Sequence, residues 1–110
     1  MTGITLLLTG DVMTGRGIDQ ILPRPADPRI FEPYARSALD YLRLAERKHG
    51  PIPRPADFAY VWGAARERLA REAPDLRIVN LETAITADGR PEPKGINYRM
   101  HPANIGVLTA

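Results

Sequence analysis

Apolar residues run almost unbroken from Ile4 to Thr9 in the stretch ITLLLT. A continuous run of this length predicts a strand buried on both faces of a parallel sheet, rather than the alternating pattern of a half-exposed one. Gly10 is expected to end it. Residues 18 to 33 scatter Ile18, Ile21, Leu22, Ile30 and Phe31 among prolines, the mark of an irregular excursion anchored by a few apolar contacts. From Pro33, which suits a first helical turn, Ala35, Ala38, Leu39, Leu42 and Ala45 recur at helical spacing until Gly50 stops them. The segment PIPRP (51 to 55) reads as a stiff connector. Asp57 is a suitable N-cap for a second helix with Phe58, Val61, Trp62, Ala65 and Leu69 on one stripe, closed by Pro74. LRIVNLE, from Leu76 to Glu82, predicts a second strand. MHPANIGVLTA then reads as the start of a helix with Pro102 in its first turn.

This order of strand, helices, strand and helix predicts an α/β layered domain with two parallel strands and flanking helices. Two strands that both read as fully buried do not make a self-sufficient sheet, because its edges stay open and its two apolar faces need covering. Residues 1–110 are therefore expected to form the N-terminal part of a single larger domain, marginally folded and without turnover by themselves.

Composition narrows the chemistry. At 110 residues, 44% apolar and 25% charged, the chain is globular in type rather than disordered. The absence of cysteine excludes disulfides, thiolate metal sites and a cysteine nucleophile, so a metal would be held by carboxylate, imidazole, amide or water. Fifteen cations are dispersed among thirteen carboxylates without the basic stripe and interleaved aromatics of a nucleic-acid binder, so no nucleic-acid partner is expected. The first apolar run is too short to span a membrane and lacks a basic leader, which gives a cytoplasmic expectation.

The motif GDVMTGRG, at residues 10 to 17, admits two chemistries. As a phosphate-cradling loop it would need a lysine and then a hydroxyl residue after its second glycine, where Arg16 and Gly17 stand. As a strand-end carboxylate it asks less. Ligands of open α/β sheets gather at the carboxyl ends of strands, and Asp11 lies just past the first run while Asn80 and Glu82 close the second. If the strands are parallel neighbours, Asp11 and Glu82 converge with the amide of Asn80 on one side of the sheet. That set begins a dinuclear metal site, in which a pair of ions about 3.5–4 Å apart activates water. The bland counterparts are a turn capped by Asp11 and a solvated Glu82.

GDVMTGRG, RIVNLETAIT and KGINYRMHPAN together resemble the bacterial capsule and poly-γ-glutamate biosynthesis family, the CapA-like proteins, which are related to calcineurin-like metallophosphoesterases. The resemblance covers nearly this whole chain and about the first third of a family member. It implies a layered α/β/β/α sandwich, one or two divalent ions (manganese, zinc, iron or magnesium), and a carboxylate-bearing polymer or a phosphoester as substrate. Asp11 stands at the family's first metal-binding aspartate, Glu82 at the metal-bridging acid, and Asn80 beside it. Met13 occupies the place where phosphoesterases carry a histidine ligand in an Asp-x-His motif. The family's later histidine motifs lie outside this chain, in the remainder of the domain beyond Ala110.

Other polar residues carry paired readings. Arg16 is a candidate phosphate or carboxylate clamp or else a salt-bridge partner within its loop. Lys94, Asn97 and Arg99 either line a substrate groove or pin a long loop. His101, before Pro102, is a candidate substrate contact or a local structural residue. His49 is expected to complement a helix C-terminus, and Tyr60 with Trp62 to pack in the core. Three functions remain open on the residues: a metal-dependent hydrolase, a polymer-binding or assembly component on the same fold, and a nucleotide-binding α/β domain.

Overall fold

The computed structural model describes residues 2–110. It is a mixed α/β arrangement with two parallel strand pairs and flanking helices, in keeping with an N-terminal α/β unit. Strand β1 (Leu6–Val12) pairs in parallel with β2 (Leu76–Leu81). Their entry is clamped where Thr5 N–H donates to the Asp75 carboxylate at 2.8 Å and Asp75 N–H donates to the Thr5 carbonyl at 2.9 Å. Two further short strands, β3 (Ala84–Ile85) and β4 (Arg99–Met100), form a second parallel pair that the sequence pattern did not reveal.

Several expected boundaries move. Gly10 does not end β1, which continues through Asp11 to Val12 with a register irregularity between Leu8 and Asp11. The stretch read as an irregular excursion opens with a helix, α1 (Arg16–Ile21). Ile18, Ile21 and Leu22 stand at helical spacing there, but Pro23 follows too soon for periodicity to declare itself. Helix α2 (Ala38–His49) starts later than Pro33, because Ser37 caps it by accepting from Leu39 N–H at 3.2 Å. It ends at Gly50, whose φ of 84° suits glycine. His49 lies in its last turn with Arg47 and Lys48, where cations complement the dipole. The second predicted helix splits at Gly63 (φ 50°) into a 3-10 turn (Tyr60–Trp62) and α3 (Ala64–Glu72). Asp57 caps the 3-10 turn, accepting from Tyr60 N–H at 2.8 Å. The final segment, Pro102–Leu108, is 3-10 rather than α-helical.

The core lies between the helices and the C-terminal segment. Ile21, Leu42 and Ala56 form one cluster and Leu22, Met100 and Val107 a second, with Val61 packed against both. Two glycines permit close packing in this core. Gly17 sets α1 against α2, with Tyr41 Cβ 3.4 Å from where its own Cβ would be, and Gly106 lies under the Phe58 ring. Trp62 is half-buried and donates from Nε1 to the Val107 carbonyl at 2.7 Å. Tyr60 is exposed and takes no part in the core expected for it.

The β1–β2 sheet stands apart from that core. Leu6, Leu8, Leu76 and Ile78 are all at least half exposed, so the two-face burial implied by their sequence is not satisfied within this chain. No apolar element among the described residues covers the face they share. Local stability should follow burial. In the isolated 110-residue chain, the amides of β1 and β2 are therefore expected to exchange with solvent about 100-fold faster than those of mid-α2, measured by hydrogen exchange with NMR detection. Equal protection would show that the sheet is stabilised without an added layer.

Candidate metal and ligand site

The placement of Asp11 depends on a bulge. Leu8 pairs with Ile78 and Asp11 with Asn80, so three steps along β1 match two along β2. Side chains alternate faces along a strand. Without the extra residue Asp11 would point away from the face that carries Leu6 and Leu8; with it, Asp11 shares that face with Asn80. Asn80 Nδ2 donates to Asp11 Oδ1 at 2.6 Å. Glu82, two residues beyond Asn80, falls on the same face by alternation, and its N–H donates to the Val12 carbonyl at 2.9 Å, which prolongs the ladder. Gly10 sits in the bulge, with open space where a Cβ would be. The glycine therefore serves register rather than termination.

Two hard carboxylates and an amide oxygen suit a divalent cation bound through oxygen. Among the described residues no group of three histidine, cysteine, aspartate or glutamate side chains converges as a potential metal centre. Asp11, Glu82 and Asn80 thus fit as part of a coordination shell. Met13 folds back on its own loop, where its sulfur accepts from Gly15 N–H at 3.1 Å.

A cleft of about 710 Å³ opens beside Glu82, within the usual range for small-ligand sites. Arg16, Lys94, Asn97 and Arg99 line it together with Glu82, whereas Asp11, Asn80 and His101 do not. The residues it brings together differ in their freedom. Asn97 is occupied in pinning its own loop, accepting from Glu92 N–H at 3.1 Å and donating to the Glu92 carbonyl at 3.3 Å. Arg99 donates to the Asp27 carbonyl at 3.0 Å. Lys94 is exposed. His101 is structural: its Nδ1 accepts from Ala103 N–H at 3.0 Å and caps the final 3-10 segment.

Arg16 is fixed more firmly than its neighbours. Its backbone adopts φ 51°, unusual for a residue other than glycine. Its Nη2 pairs with the fully buried Glu32 carboxylate at 2.5 Å, and its guanidinium lies 4.9 Å from the Tyr41 ring centroid and 4.7 Å from that of Tyr98. The Tyr41 hydroxyl donates to the other Glu32 oxygen. Burial, with hydrogen bonding to Glu32 and Tyr34, holds the Tyr41 phenol well above its ordinary pKa. Of the two readings of Arg16, the salt bridge is present, and the residue also lines the cleft. Gly15, before it in the chain, is closely packed. A Cβ there would lie 2.6 Å from the Arg99 carbonyl oxygen and 3.1 Å from Thr83 Oγ1, so the glycines of the opening motif serve close packing and register.

Asp19, Glu32 and Asn104 escaped the sequence reading. Asp19 is 1% exposed and accepts from Ala26 N–H at 2.7 Å, His101 N–H at 2.9 Å and Asn104 Nδ2 at 2.8 Å. Asn104 in turn accepts from Arg24 N–H at 3.1 Å and donates to the Arg24 carbonyl at 3.0 Å. This network ties α1, the loop after it and the C-terminal segment into the floor behind the cleft. The available signal was an acid placed between Ile18, Ile21 and Leu22, where only a partnered carboxylate is tolerated.

The site and fold define an α/β protein that collects oxygen donors at the carboxyl ends of parallel strands, with a ligand-sized cleft alongside. The chain belongs to the bacterial capsule synthesis protein PGA_cap family, whose model matches residues 5–110. It is similar to two curated proteins of Mycobacterium tuberculosis, strains CDC 1551 / Oshkosh and ATCC 25618 / H37Rv, each named a probable polyglutamine synthesis accessory protein. Identity to each is 53% over 108 residues, which covers 97% of this chain and 28% of the relative. The chain thus spans little more than a quarter of the length of these relatives. No solved structure matches it. Among the described residues no helix is long and apolar enough to cross a membrane.

Proposed function

We propose that this chain supplies the N-terminal half-site of a metal-dependent, metallophosphoesterase-like domain that serves capsule or polyglutamate synthesis. The observation that carries this reading is the bulge at Gly10, which turns Asp11 onto the face shared by Asn80 and Glu82. A strand that needed only to pair would not gain from the extra residue. Asp11 and Glu82 would hold one or two divalent cations, with Asn80 orienting the Asp11 carboxylate and later residues of the longer protein completing the shell. A bound ion of this kind supplies activated water or a polarised oxygen. The chain's own residues do the rest. Glu82 joins the ion-binding face to the cleft, Lys94 offers an exposed cation at the rim, and Arg16 shapes the wall. The partner we propose is a carboxylate-bearing polymer, with a phosphoester as the alternative substrate; the polymer in the relatives' name, polyglutamine, has neutral amide side chains.

A second reading is favoured by Met13, which makes a local hydrogen bond where a catalytic relative presents a ligand. On that reading the fold handles polymer without bond cleavage. Calorimetry of poly-γ-glutamate binding to the full-length protein separates the two. If metal is integral, exhaustive chelation should weaken binding at least about tenfold, and restoring manganese or zinc should recover it along with polymer cleavage. Undiminished binding after chelation, without cleavage in any metal, supports the assembly component and overturns the hydrolase.

A further inference from the structure

We propose that Arg16 is a fixed hydrogen-bond donor for an uncharged carbonyl oxygen of the ligand that occupies the cleft, with Nη1 as the donating atom. This deepens the proposed function and rests on its assignment of the cleft as the ligand site. Of the guanidinium nitrogens, Nε and Nη2 are buried without a well-formed hydrogen bond, Nη2 lying 2.5 Å from Glu32 Oε1 as an ion pair. The Arg16 side chain keeps 17% of its surface exposed and lines the cleft, which leaves Nη1 as the nitrogen whose hydrogens a ligand there can use.

Three observations make this a prepared donor rather than a surface cation. Its backbone is held at φ 51°, a conformation costing about 1–3 kcal/mol that persists only where the surroundings enforce it. Two tyrosine rings flank the guanidinium and prevent it from swinging. Glu32, itself wholly buried, fixes the far edge. A donor immobilised in this way loses little freedom when it binds, which favours affinity.

Charge selects the acceptor. Glu32 neutralises Arg16, and Glu82 adds a negative charge to the same cleft. Around the whole lining, five cationic side chains face five acidic ones, so the cleft has no net attraction for an anion. A carboxylate at Nη1 would stand beside Glu32, whose charge already offsets that of Arg16, whereas an amide or ester carbonyl accepts the bond and brings no charge. On a polymer bearing carboxylates, Arg16 therefore reads the backbone carbonyl and leaves the carboxylates to Lys94 and solvent.

The test uses the full chain in EDTA, with N-acetyl-triglycine amide as the neutral probe and sodium acetate as the anionic one. Nitrogen-15 NMR of the arginine side chains reads Arg16 directly, without a variant. The amide should shift the Arg16 guanidinium resonances saturably, and acetate should need at least about tenfold more for the same effect. Arg16→Lys, which retains the charge beside Glu32 but lacks the fixed fork, should weaken amide binding about 10-fold or more. Acetate binding at Arg16 as tightly as the amide, or neither probe moving these resonances, would overturn the proposal. Because chelator is present throughout, these outcomes are independent of whether Asp11 and Glu82 bind metal.

Discussion

Replacing Asp19 by alanine should lower the stability of the full-length protein by about 3–5 kcal/mol, the largest single-residue effect expected outside the apolar core. The carboxylate accepts hydrogen bonds from Ala26 N–H, His101 N–H and Asn104 Nδ2 while almost wholly buried. Truncation leaves three donors without an acceptor, at about 1–3 kcal/mol each before relaxation. Domains are typically stable by only about 5–15 kcal/mol, so the loss is a large fraction of the whole. Urea denaturation followed by circular dichroism should show the midpoint falling by more than about 1 M. Asp19→Asn should recover part of the loss, since its remaining oxygen still accepts where His101 and Asn104 donate. A midpoint displaced by less than about 0.3 M would mean that water replaces the carboxylate at little cost.

Deletion of Gly10 should abolish metal binding in the full-length protein as completely as removing the Asp11 carboxylate, although every proposed ligand is still encoded. The bulge is what aligns Asp11 with Asn80. One residue fewer either returns Asp11 to the opposite face or slips β1 against β2, and with a side-chain period of two there is no intermediate arrangement. Gly10→Ala is the informative companion. Open space surrounds the position its Cβ would occupy, so metal binding should stay within about threefold of the wild type. Retained metal in a folded deletion variant would show that the register of β1 does not place the ligand.

Much of the architecture was legible because it is written in local chemistry. Both strands of the parallel sheet, the helix ended by Gly50 and the capping role of Asp57 were each announced by a run, a period or a single residue of limited conformational choice. The candidate site was legible in part for the same reason, since carboxylates that follow apolar runs point to strand ends. What escaped depends on non-local partners. The bulge is a relation between two strands, and neither GDV nor VNLE shows by itself how many residues of one match the other. Likewise, the choice between clamp and salt bridge at Arg16 lies with Glu32, Tyr41 and Tyr98, which arrive from other elements. Asp19 gave no signal of its role because its three donors come from residues 26, 101 and 104. Of the two readings of His101, the structure shows the local one, its ring nitrogen closing the turn into Pro102–Leu108.

The exposed apolar face of β1 and β2 and the proposed metal ligands have a common consequence. The same face carries Leu6, Leu8, Leu76 and Ile78 and then, at the carboxyl ends, Asp11, Asn80 and Glu82. Whatever layer covers the apolar part will also approach the oxygen donors. Coverage and completion of the metal shell are therefore one event in the proposed domain, and its metal affinity should be coupled to its stability.

The central claim is that Asp11 and Glu82 are metal ligands on one face of the parallel sheet. Metal content of the purified full-length protein, measured by inductively coupled plasma mass spectrometry after reconstitution with manganese or zinc, tests it most directly. The account predicts at least one equivalent of divalent metal in the wild type and loss of at least about nine-tenths of it in both Asp11→Ala and Glu82→Ala, with the fold retained by circular dichroism. Unchanged metal content in either folded variant, or none in the wild type, would contradict it.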